Sequence, residues 1–219
     1  MINSDDFKFN SNFKSKNLLL RVMDLILASY GEIKNTKKNV DTIIYHRENH
    51  YRNDLVKVMN DLKSLHGLSG LIINTEPQEI GDEIIGKIDI KVEYCPPTVR
   101  SFELKNYHSI ECKRLDRKLD FSNCYYRGLN DFIEGKYSKN TDYAGMLYFI
   151  EEFPENHNIE KIVEKWNHYL ENKKINIIKK FEHNYDYFYY SKHQRKNESG
   201  EINIFHLMLD YSEIYNLIN

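Results

Sequence analysis

The run Ala144-Gly145-Met146-Leu147-Tyr148-Phe149-Ile150 carries no charged side chain and is flanked by Asp142 on one side and Glu151-Glu152 on the other. A continuous apolar stretch of strand length, without polar alternation, reads as a β-strand covered on both faces. Just upstream, residues 123–136 place Tyr126, Leu129, Phe132 and Ile133 at helical spacing, with Gly135 near the end. A helix leading into a buried strand is a crossover unit, and crossovers put helices on the faces of a sheet. The expected class is therefore α/β.

Ahead of that unit lie two further strand patterns. In Gly86-Lys87-Ile88-Asp89-Ile90-Lys91-Val92 the residues Ile88, Ile90 and Val92 alternate with Lys87, Asp89 and Lys91, which turns Asp89 away from the core. In Ser109-Ile110-Glu111-Cys112-Lys113-Arg114-Leu115 the side chains of Glu111 and Lys113 project from one face about 6.7 Å apart, with Ile110 and Cys112 on the other. Two carboxylates that converge make a hard oxygen site suited to Mg²⁺, which keeps several waters and also binds phosphate oxygens. A lysine beside them is placed to orient an attacking water or to balance charge developing on phosphorus. That chemistry is phosphodiester hydrolysis.

Asp89 followed on a later strand by Ile110-Glu111-Cys112-Lys113-Arg114-Leu115 resembles the PD-(D/E)xK nuclease superfamily, the restriction-endonuclease-like fold. The resemblance implies a central mixed β-sheet of about four to six strands flanked by α-helices, here with a C-terminal β-hairpin. It implies Asp89 and Glu111 as catalytic metal ligands, Lys113 as the residue that positions the water, and the main-chain carbonyl of Cys112 as a further ligand. Members of the superfamily often add an acidic residue from a preceding helix. Glu48 or Asp54 fits that place, although a carboxylate in the first turns of a helix also complements the macrodipole without any metal. The implied cofactor is Mg²⁺, with Mn²⁺ able to substitute, and the implied setting is restriction or anti-phage defence. Coordinated cutting of both strands implies a homodimer or a subunit of a defence complex. The proline that usually precedes the aspartate in this superfamily is replaced by Lys87-Ile88.

Glu-x-Lys recurs at Glu32/Lys34, Glu103/Lys105, Glu134/Lys136 and Glu171/Lys173 in a chain with 29% charged residues. Glu103/Lys105 is the real competitor, because Phe102 and Leu104 alternate there as well. Which of the two pairs is active stays open at this point. Glu76 is a loop carboxylate near the same strands.

The partner expected is nucleic acid, DNA favoured and RNA open. A net charge of −2 places binding on local patches rather than on a basic domain. Lys113-Arg114 with Arg117-Lys118 lies beside the proposed site, and Arg114, Arg117, Lys118, Tyr126 and Arg127 are the candidate substrate contacts. Tyr126 has a second reading as packed core. The alternative function is a non-catalytic nucleic-acid-binding or assembly subunit that retains the fold. Three cysteines without paired spacing argue against a disulfide framework or zinc site. The absence of a basic start with an apolar run, or of any 18-residue apolar span, gives a cytoplasmic expectation with no membrane partner.

The rest divides as one domain over 1–219, with N-terminal helices to 66, a catalytic core over 68–150 and a helix and hairpin over 151–219. Ser15 to Tyr30 reads as a helix ended by Gly31 after a polar arm, and Glu48 to Leu65 as a second helix closed by Gly67. Val40 to Tyr45 reads as a short strand or the lead-in to that second helix. Leu71 to Asn74 opens a meander, and Cys95-Pro96-Pro97 stops the Asp89 strand. Asn158 caps a helix bearing Ile159, Ile162, Val163, Trp166, Tyr169 and Leu170. His193 and His206 read as polar residues on a sheet edge.

Overall fold

A computed structural model of the chain describes residues 4–37, 48–76, 78–80, 84–94, 107–138, 141–196 and 200–215. In order these form α1 (Ser4–Lys37), α2 (Glu48–Leu62), β1 (Leu71–Thr75), β2 (Gln78–Ile80), β3 (Ile84–Lys87), β4 (Ile90–Tyr94) and β5 (Tyr107–Leu115). Then come α3 (Phe121–Cys124), a π-helical turn (Tyr125–Leu129), α4 (Asn130–Ile133), β6 (Tyr143–Ile150), α5 (Ile159–Asn172), β7 (Lys179–Lys180), β8 (Phe188–Gln194), β9 (Glu201–Asp210) and α6 (Ser212–Tyr215).

Seven strands make one mixed sheet in the order β1-β4-β5-β6-β9-β8-β7, and β2 and β3 form a separate pair. The β1-β4-β5 meander is antiparallel, β5-β6 and β6-β9 are parallel, and β9-β8-β7 is antiparallel again. The sheet exceeds the expected size because the C-terminal hairpin β8–β9 joins the main sheet through β9 and recruits the two-residue β7. One face packs Leu147 and Phe149 of β6 with Ile110 and Cys112 against Leu19, Val22 and Ile26 of α1, together with Tyr51, Leu55 and Met59 of α2. The other face packs Met146, Tyr148 and Ile150 against Leu129, Phe132, Ile162 and Trp166. Both faces of β6 are therefore covered, as its unbroken apolar run requires.

Several expectations change in the structure. The first helix neither starts at Ser15 nor ends at Gly31. Ile26, Tyr30 and Ile33 continue the buried stripe past the glycine, and Gly31 costs only about 1 kcal/mol of propensity. The second helix stops at Leu62, so Leu65 falls in the following turn and is exposed. A straight strand over 86–92 is not formed: β3 ends at Lys87, Asp89 lies in a bend, and β4 begins at Ile90. Ile88 is buried in the core on the α5 side while Ile90 and Val92 belong to the α1 side, because the chain turns between two separate ladders. Val40 to Tyr45, Cys95 to Pro97 and Glu103/Lys105 lie outside the described residues.

The crossover helix departs from its expected phase. Tyr126 is 52% exposed and Tyr125 is buried in its place. The π-helical turn inserts one residue into the helical repeat, which rotates everything before it by roughly 100° relative to Leu129, Phe132 and Ile133. Both His193 and His206 are buried: His206 is interior because β9 lies between β6 and β8, whereas His193 sits on β8 beyond its short pairing with β7. Both histidines bond Ser191 Oγ through Nε2 at 2.7 Å, and His206 Nδ1 pairs with the Tyr148 hydroxyl at 3.2 Å. A buried polar chain of this kind is tolerated because its members satisfy one another.

Candidate active site

The site forms where β4 leaves β5. Their antiparallel register pairs Ile90 with Ile110, Lys91 with Ser109 and Val92 with His108, and one further step would set Asp89 opposite Glu111. The strand bends away at that step. Alternate main-chain amides of a strand point to the same edge, so Cys112 and Arg114 of β5 present N–H groups beyond the end of β4. Side chains take both: Asp89 Oδ2 accepts from Cys112 N–H at 2.8 Å, and Glu48 Oε2 accepts from Arg114 N–H at 3.0 Å. Glu48 is the first residue of α2, and two carboxylates are thereby drawn to one bare strand edge.

Glu111 and Lys113 share the opposite face of β5 from Cys112, and their side chains meet. Lys113 Nζ donates to Glu111 Oε2 at 3.1 Å and to the Cys112 carbonyl at 2.8 Å, and it lies 3.7 Å from Asp89 Oδ2. Three oxygens of the expected ligand set thus surround one point. Both Glu111 and Lys113 are buried, and Glu111 Oε1 has no hydrogen-bond partner among the described residues. Burial pushes the Glu111 carboxyl up to about 8, with Lys113 pulling against it and Asp89 adding to it. Burial also works to lower the Lys113 ammonium. The Glu111, Asp89 and Glu48 carboxylates outweigh it and hold Lys113 above the ordinary lysine range. Glu48 is raised, first by burial, with Lys113 opposing.

The donor set suits a hard divalent cation: carboxylate oxygens of Asp89 and Glu111, the Cys112 carbonyl, and the orphaned Glu111 Oε1, whose burial a cation would offset. Among the described residues no three His, Cys, Asp or Glu side chains gather closely enough to hold an ion by themselves. Water and phosphate oxygens would have to complete the shell, as they commonly do around Mg²⁺.

Gly128 of the π-helical turn packs on the lysine. A Cβ there would lie 2.9 Å from Met146 Cε and 3.1 Å from Lys113 Cε, so a larger residue would press on both side chains. Tyr126 and Arg127 precede it on the exposed side. The Tyr126 hydroxyl accepts from Lys173 Nζ at 3.1 Å, and that ammonium stands 5.3 Å from the ring centroid. Of the remaining candidates, Arg114 is partly buried with Nη1 3.7 Å from Glu151 Oε2, Arg117 pairs with Glu152, and Lys118 is exposed. Asp54 is half-buried further along α2, its carboxyl raised by burial with Lys57 opposing.

Sequence reasoning passed over Arg52. It is 3% exposed, donating from Nη1 to Asp89 Oδ1 at 2.8 Å and from Nη2 to Glu76 Oε1 at 2.7 Å. The signal was present: Arg52 lies one turn after Glu48 on the stripe that carries Leu55, Val56 and Met59, and a charged residue on a buried helix face needs a partner.

Compared with known proteins, the chain matches no family model, no curated protein and no solved structure. Among the described residues no helix is long and apolar enough to cross a membrane.

Proposed function

We propose that this chain is a Mg²⁺-dependent nuclease of restriction-endonuclease-like fold that hydrolyses phosphodiester bonds in DNA. The observation that carries the reading is the placement of Lys113 Nζ, 3.1 Å from Glu111 and 3.7 Å from Asp89, on the strand edge that also holds Glu48. An antiparallel meander that delivers β5, followed by a helical crossover to a parallel β6, agrees with the proposed core.

Asp89, Glu111 and the Cys112 carbonyl would hold the cation, Glu48 would support it through the β5 edge, and Mn²⁺ would substitute. The cation supplies Lewis acidity and an acidified water. Lys113 would orient that water and offset charge that develops in the transition state. Arg114, Lys118 and Arg127 would meet phosphates near the site, and Tyr126 a base. Such an enzyme fits a cytoplasmic defence role, as a homodimer or within a larger complex.

The test is cleavage of double-stranded DNA, single-stranded DNA and RNA by the purified chain with Mg²⁺, Mn²⁺ or EDTA. Metal-dependent cutting of DNA that Asp89→Ala abolishes is the expected result, and cutting of RNA alone would make it a ribonuclease. One observation favours the second reading, a non-catalytic subunit: Arg52 already neutralises Asp89. Nucleic-acid binding without cleavage, unchanged in Asp89→Ala, would establish that reading instead.

A further inference from the structure

Asp89 is not held by strand pairing. It lies in the bend before β4, and what fixes its carboxylate is a pair of donors: Arg52 Nη1 on Oδ1 at 2.8 Å and the Cys112 amide on Oδ2 at 2.8 Å. With one donor on each oxygen, rotation about the last side-chain bond would break both. The Oδ2 atom is the one that lies 3.7 Å from Lys113 Nζ, which also bonds Glu111. Arg52 itself is too buried to touch a polynucleotide, and its other arm is spent on Glu76.

Glu76 supplies a second reason for the arrangement. Its backbone is left-handed, φ 51°, a conformation that costs a non-glycine residue roughly 1 kcal/mol. Its amide donates to the Asp89 carbonyl at 3.2 Å. The Arg52 fork closes the same loop from the side-chain direction, tying the end of β1 to the start of β4. The carboxylates of Glu48, Glu76, Asp89 and Glu111 gather here with three cations, Arg52, Lys113 and Lys87, the last 3.8 Å from Glu76.

We infer that Arg52 is the positioning residue of the cation site, whose planar fork presents Asp89 Oδ2 to the metal and locks it through Glu76. The inference rests on the proposed nuclease reading and adds to it a residue outside the ligand set. A lysine at this position keeps the charge and loses the fork, since one ammonium cannot bridge two carboxylates in the same geometry. Loss of such an outer partner commonly lowers metal affinity by about 10–100-fold.

The experiment is Mn²⁺ binding, measured by electron paramagnetic resonance or calorimetry on the full chain, for wild type, Arg52→Lys, Glu76→Gln and Asp89→Asn, with melting curves alongside. Arg52→Lys is expected to weaken Mn²⁺ binding by about 10-fold or more, and Glu76→Gln by a few-fold. If the wild type cleaves DNA, Arg52→Lys should raise the half-saturating Mn²⁺ concentration while the rate at saturation stays within about 3-fold of wild type. Glu76 is partly exposed, so its variant carries the test should Arg52→Lys fail to fold. Wild-type Mn²⁺ affinity in a folded Arg52→Lys, or in Glu76→Gln where Arg52→Lys does not fold, overturns the inference, provided Asp89→Asn has lost binding. Unchanged binding in Asp89→Asn, or none in the wild type, overturns the metal-site reading beneath it as well.

Discussion

A Cβ added at Gly128 would stand 3.1 Å from Lys113 Cε, so the crossover segment reports directly on the lysine of the site. Gly128→Ala sets two effects against each other. Replacing a helical glycine gains up to about 1 kcal/mol, and overpacking costs about 1–3 kcal/mol. Met146 Cε can move aside, but Lys113 is held at its far end by Cys112 O and Glu111. Stability should therefore change little while the single-turnover rate falls by about 10-fold or more. Parallel melts and cleavage assays check this, and a normal rate would show that the contact is only packing.

Asp89→Asn illustrates how a partner reverses a sign. Crowding of Asp89 with Glu111 alone would make the substitution neutral or stabilising. Arg52 changes the outcome, because the buried guanidinium is left with the partly exposed Glu76 as its charged partner among the described residues. We expect a loss of about 1–3 kcal/mol in denaturant unfolding together with loss of Mn²⁺ binding. Stability equal to wild type would mean that the Arg52–Asp89 pair contributes nothing net.

What could be read from the chain and what could not divide on the range of the forces involved. The apolar run of β6, the capped α5 and the common face of Glu111 and Lys113 are local consequences of period and capping, and they stand in the structure. The break at Asp89 is not local: it depends on Arg52, on Glu76 and on β5 amides distant in the chain. The same holds for Tyr126. Its outward position follows from a π-helical turn that Gly128 permits by packing on Lys113, and no helical wheel contains that contact. His206 looks peripheral in the sequence because the strand beside it, β6, lies far earlier in the chain.

His193 and His206 give the chain an acid weakness. Burial lowers His193 to about 4 and drives His206 below its ordinary value, with His193 adding to the effect on His206. In the unfolded chain both titrate near about 6.5, so between pH ~6.5 and about 4 the unfolded state binds more protons and stability falls as pH falls. Above that range neither group contributes a slope. At a pH of about 5 His193 alone should cost about 1–2 kcal/mol relative to a pH of about 7.5. His193→Gln should flatten that part of the profile in urea melts, and an unchanged difference between the two pH values would remove the claim.

Lys113 separates chemistry from binding. Its ammonium is surrounded by Glu111, Cys112 O and Asp89, and the proposed role lies in the transition state, so Lys113→Ala should lower the cleavage rate by about 10²-fold or more. Substrate affinity should change little, because phosphate contacts are assigned to Arg114, Lys118 and Arg127. Removal of the ammonium also takes the paired cation from Glu111 and leaves Asp89 with Arg52, which should strengthen Mn²⁺ binding rather than weaken it. Lys105→Ala is the control for the other Glu-x-Lys pair and should behave as a surface change, within about 0.5 kcal/mol in stability and near-normal in rate. Single-turnover measurements with excess enzyme distinguish these outcomes. If Lys105→Ala abolished cleavage while Lys113→Ala cut normally, the catalytic pair would be Glu103/Lys105, and the convergence of oxygens on Lys113 would be structural.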